Sequence, residues 1–109
     1  MTRDAVMAWL AARAPAAPPL LAGRLEALVR SAPTPVLGGT MTGAMSGLGL
    51  HALDSSASRG ETGDEAALDL LAADAFVTYV FEAAAEEGAD VPQAARDLIE
   101  RVITAEGLR

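Results

Sequence analysis

At 109 residues the chain fits a single domain and leaves no room for two. Its 51% hydrophobic content, mostly Ala, Leu and Val, is enough to bury a core and excludes wholesale disorder, while a formal net charge of −7 with Arg but no Lys disfavours binding to DNA or RNA. With no Cys, disulfides, thiolate metal sites and a Cys nucleophile are excluded. Aromatic residues are limited to Trp9, Phe76, Tyr79 and Phe81. A chain so rich in Ala and Leu, and so poor in aromatic and β-branched residues, favours helix over sheet.

The first helix is expected from about Thr2 to Arg13. Thr2 can accept from a first-turn amide, and Asp4 suits the positive end of the helix dipole. Val6, Trp9, Leu10 and Arg13 fall on one face. The apolar run Ala5 to Ala12 is short for a signal peptide and has an acid beside it, so a cytoplasmic protein is expected, although the small residues Ala14 to Ala17 imitate a cleavage site. Pro15 ends the helix, and Ala14 to Pro19 reads as a stiff connector.

A second helix starts near Pro18 and Pro19, carries the stripe Leu21, Leu25, Leu28 and Val29, and stops before Pro33 and Pro35. Glu26 and Arg30 on it are four apart in the favourable order. From Ser31 to Leu53 there is no charge, and Gly occurs at 38, 39, 43, 47 and 49. This segment reads either as a Gly-weakened helix from about Thr40 to His51 or as an ordered loop. The polar stretch Asp54 to Asp64 reads as a flexible loop, so the Gly-rich segment and loop together occupy about 38–63.

Thr62-Gly63-Asp64-Glu65 has the spacing of a capping box. The helix behind it, about 64–87, is free of Gly and Pro and apolar nearly all round, with Leu68, Ala72, Ala75 and Tyr79 on one face and Leu70, Val77, Val80 and Phe81 on other sides. Such a helix is buried on more than one side. Gly88 is placed to end it. Asp90 and Pro92 then open a last helix with the apolar stripe Ala95, Leu98, Ile99, Val102 and Ile103, ended by Gly107. The expected fold class is all-α: a small bundle of four to five helices around the long central helix.

Motifs that carry chemistry are sparse. Gly38 to Gly47 imitates a phosphate loop, but lacks both the Lys of a P-loop and a preceding strand. On a helix, Gly39, Gly43 and Gly47 would form a smooth stripe for close packing, and the uncharged stretch 31–53 is long enough to reach across a membrane, although its Gly, Thr and Ser content makes it weakly hydrophobic. His51 is the only histidine and has no ExxH or HxxxH partner. Asp74 interrupts an apolar run, so it either pairs with an Arg such as Arg13, Arg24 or Arg30 or lies on a solvated stripe. The run Leu71 to Ala85 locally resembles a core helix of polyprenyl diphosphate synthases, in which an Ala-Gly-Asp-Ala-Leu-Leu type run leads to Phe-Glu. The resemblance covers about a seventh of the chain, and the DDxxD motifs that hold magnesium diphosphate in that family do not occur, so it implies a well-packing helix and no activity.

The reading with fewest missing parts is a non-enzymatic interaction protein, a homodimer or a subunit of a larger assembly, with Leu70, Val77, Val80 and Phe81 at the contact and no cofactor or metal. The alternatives are a small-molecule or metal-binding domain built on His51 and Asp74, and a membrane-associated component using 31–53.

Overall fold

The computed structural model describes residues 1–58 and 63–106. Among these the chain is all-helical: α1 (Arg3–Ala11), α2 (Pro19–Ser31), a 3-10 turn (Thr34–Leu37), α3 (Met41–Ser58), α4 (Asp64–Glu86) and α5 (Val91–Glu106). Local signals set most of the ends. The Ala5 amide donates to Thr2 Oγ1 at 3.1 Å, the Gln93 amide donates to Asp90 Oδ1 at 3.1 Å, and Gly88 takes φ +68° behind α4. Arg30 Nε donates to Glu26 Oε1 at 3.1 Å on the wet side of α2.

The Gly-rich segment is a helix, and it extends through what reads as a loop in sequence. α3 runs to Ser58, so Asp54 to Ser58 is ordered helix rather than flexible connection. Its serines are anchors: Ser56 Oγ donates to the Ala66 carbonyl at 3.2 Å, and Ser55 Oγ donates to Asp69 Oδ2 at 2.9 Å. Thr62 of the expected capping box lies outside the described residues. Gly63 occupies the N-cap of α4 at φ +98° with no side-chain cap.

Three glycines inside α3 cost on the order of 1 kcal/mol each relative to Ala. Burial offsets this. Met41, Ala44, Met45, Leu48 and Ala52 are all buried, and α3 packs along α4 through Ala72, Ala73, Phe76 and Val80. The absence of charge from Met41 to Leu53 follows from the position of the helix, with the 3-10 turn on one side and α4 on another. Gly47 is where the turn comes closest: a Cβ there would lie 2.1 Å from the Val36 carbonyl oxygen. Gly49 faces α4, where a Cβ would meet Phe76 Cβ at an ordinary 3.6 Å. The close approach therefore depends on Gly47, and its neighbour is a 3-10 turn rather than a second helix.

The first turn of α3 is held from a distance. The Met41 and Thr42 amides donate to Glu87 at 3.0 and 3.1 Å, and the Thr42 hydroxyl donates to the same carboxylate. Two orphan donors of the helix N-terminus are thus satisfied by the end of α4. Desolvation alone would raise the Glu87 pKa, but the hydrogen bonds from Thr42 and Met41 outweigh it and hold the carboxyl below its ordinary value. The folded chain therefore binds this proton more weakly than the unfolded chain. Its stabilisation is present above the ordinary Glu range and is lost as pH falls through the lowered value. Glu87→Gln is expected to lower stability at neutral pH by about 1 kcal/mol, a capping-scale loss moderated by solvent exposure. It also shrinks the loss of melting temperature between pH 7 and pH 3, measured by circular dichroism.

Candidate functional site

Four arrangements of side chains have chemical potential, and each is built from elements that the core positions. The first is a cleft of about 1040 Å³ between α3 and α5, with Thr42, Ser46 and Leu50 on one wall and Gln93, Asp97 and Arg101 on the other. Three of its carboxylates already accept hydrogen bonds from their own chain: Glu87 from α3, Asp90 from the Gln93 amide, and Asp97 from Gln93 Nε2 at 2.8 Å. These acids are committed to holding helix ends and turns, which leaves none of the three poised as a general base.

The second is a Ser–His pair. His51 Nε2 lies 2.9 Å from Ser31 Oγ, joining α3 to the end of α2. This is the first half of a nucleophile–base relay, but no described carboxylate hydrogen-bonds to the ring. Ser31 Oγ also donates to the Leu28 carbonyl at 3.2 Å. At a helix C-terminus the backbone presents carbonyl oxygens, the wrong polarity for an oxyanion. The pair ties two helices together.

The third is a buried ion pair. Asp69 is completely inaccessible, and Arg24 Nη1 donates to its Oδ1 at 3.1 Å while Ser55 donates to Oδ2. Arg24 also pairs with Glu65. Asp74, the acid singled out in the sequence, is solvent-exposed on the same helix. No hydrogen bond or ion pair joins His51 to Asp74, and neither borders the cleft or the two smaller cavities. The structure thus does not assemble those two residues into a polar site. Among the described residues no group of three His or acidic side chains is placed to hold a metal ion.

The fourth is an aromatic clamp that the sequence shows only as one face of α1. The Arg13 guanidinium carbon lies 3.7 Å from the Trp9 ring centroid, and Trp9 meets Tyr79 edge-on at 5.8 Å. Trp9 Nε1 and Arg13 Nη1 donate to Glu86 at 2.9 and 2.7 Å. The Arg13 and Trp9 hydrogen bonds hold the Glu86 carboxyl below its usual range. Burial, with Glu82 nearby, pushes the Tyr79 phenol up. The cluster pins α1 to the C-terminal half of α4. Its members are 77 residues apart at the widest, so no local pattern announces it.

Compared with family models, with curated proteins and with solved structures, the chain matches none. No helix among the described residues is long and apolar enough to cross a membrane, α3 included. The residues expected at a contact separate into three environments. Val80 is fully buried in the core against α3 and is withdrawn from any surface. Val77 and Phe81 are half-buried against that core. Leu70 is 52% exposed, and its neighbour Leu71 is 57% exposed. Sequence reasoning missed the exposed pair on α5, Ile99 at 59% and Ile103 at 37%, because both belong to a stripe that reads as core-facing. Leu98 and Val102 of the same stripe are the ones turned inward.

Proposed function

We propose that this chain works as a non-enzymatic contact protein that self-associates through α5. The observation that carries the reading is the exposed Ile99–Ile103 pair, one turn apart on the most amphipathic helix of the fold. Two large β-branched side chains left in water on one helix face are what a partner surface would cover. The pair borders a shallow depression flanked by Arg96 and Glu100, charges of opposite sign, so a second copy of an otherwise acidic chain is not repelled there. A two-fold contact places the same patch on both sides, which an apolar ridge with mixed-sign flanks satisfies. Leu70 and Leu71 on α4 supply further exposed apolar surface.

Sedimentation equilibrium tests this. The expected result is a dimer whose dissociation constant rises at least tenfold in Ile99→Glu/Ile103→Glu, with the helical circular dichroism unchanged because both positions are exposed. A concentration-independent monomer overturns the proposal, as does a dimer indifferent to both substitutions.

A further inference from the structure

A second cavity borders Tyr79 of the aromatic clamp, away from the α3–α5 cleft. It has a volume of about 200 Å³, is lined by Met7 and Leu10 of α1, Ala17 of the connector, Ala22 and Leu25 of α2, and Tyr79 of α4, and opens to solvent beside the exposed Ala22. Three helices and the connector meet here, and the small side chains of Ala17 and Ala22 leave the space that larger residues would fill. Apart from the Tyr79 phenol, the polar side chain at its border is Glu26, whose carboxylate is already engaged by Arg30. Tyr79 is half-buried, and its hydroxyl, with no hydrogen-bond partner among the described residues, remains in contact with solvent.

We propose that this cavity is a binding site for a small neutral aromatic molecule bearing a hydroxyl group. Size sets the scale: apolar cavities of about 150 Å³ hold a benzene ring, so this one accepts a ring with a small substituent. The walls set the class. The Met7 thioether and the Tyr79 ring both favour aromatic contact over aliphatic, and a largely apolar lining whose one carboxylate, Glu26, is already paired with Arg30 disfavours a charged ligand. The phenol of Tyr79 supplies an uncommitted hydrogen-bonding group that would orient such a ligand, in keeping with the few polar groups of small-molecule sites. This site is independent of the α5 contact.

Titration with phenol and with toluene, followed by amide NMR of the whole chain, tests the assignment. Saturable shifts are expected at Met7, Leu10 and Leu25 for both probes. Ala22→Phe, at an exposed helix position bordering the cavity, is expected to weaken both at least tenfold. Ala17→Leu fills the same space from the connector and gives an independent check if the first variant perturbs α2. Tyr79→Phe keeps the wall and removes the hydroxyl, and is expected to weaken phenol about fivefold while leaving toluene unchanged. Absence of saturable shifts, or shifts that persist undiminished in both filled variants, overturns the site. An unchanged phenol affinity in Tyr79→Phe overturns the role of the hydroxyl.

Discussion

Gly47→Ala is expected to destabilise the fold by about 3 kcal/mol or more, while Gly49→Ala, two residues away on the same helix, leaves stability unchanged or slightly raised. At Gly47 the added Cβ lies 2.1 Å from the Val36 carbonyl oxygen and 3.1 Å from the carbonyl carbon. These are backbone atoms of the 3-10 turn, so no side-chain rotation relieves the overlap. Either the turn lifts off α3 or α3 moves against α4, and both routes open the core around Leu37, Ala44 and Leu48. At Gly49 the nearest atom is Phe76 Cβ at 3.6 Å, an ordinary contact, and the gain in helix propensity of about 1 kcal/mol is retained. Urea denaturation of the two variants beside the parent gives the comparison directly. For a domain near this size, about 3 kcal/mol corresponds to a melting temperature lower by roughly 10–20 °C.

Asp69→Ala carries the second large effect, a loss of about 3–5 kcal/mol. The substitution removes the acceptor for Arg24 Nη1 and for the Ser55 hydroxyl, and leaves the Arg24 guanidinium largely out of water with Glu65 as its remaining ion-pair partner among the described residues. Most of that cost is the stranded partner rather than the net worth of the pair. Replacing both charges therefore tests the account: Arg24→Met/Asp69→Leu is expected to lose less than Asp69→Ala alone, because the buried guanidinium is removed together with its acceptor. If the double variant is the less stable of the two, the loss lies in shape and not in charge. Chemical denaturation at neutral pH distinguishes them.

The helices whose signals are local are the ones legible in the sequence. Thr2, Asp90, Pro19 and Gly88 mark ends that the structure places where the residue chemistry predicts. α3 was only half legible, because the five glycines and lack of charge of the segment 31–53 describe a loop as readily as a helix with neighbours on several sides. What decides between them is the Glu87 carboxylate, the Val36 carbonyl and the face of α4, all distant in sequence. Asp69 and Asp74 have similar apolar flanks, and five helical positions place them on different sides of α4. Which side is dry is set by where α3 and α2 dock, so periodicity alone pointed to Asp74 while Asp69 took the buried position. The same indifference affects the contact residues. A helix apolar nearly all round does not reveal that Val80 faces inward and Leu70 outward.

The carboxylate that closes the first turn of α3 has a consequence for the order in which the chain acquires its structure. Glu87 is 46 residues downstream of the Met41 amide it accepts from. On a ribosome, α3 emerges well before that acceptor has been synthesised, and so does its packing surface on α4. The nascent Gly-rich helix, weak on its own, has the 3-10 turn and the end of α2 to pack against but lacks its main packing surface until α4 has formed. The arrival of the α4–α5 junction is therefore the event that commits the central helix pair.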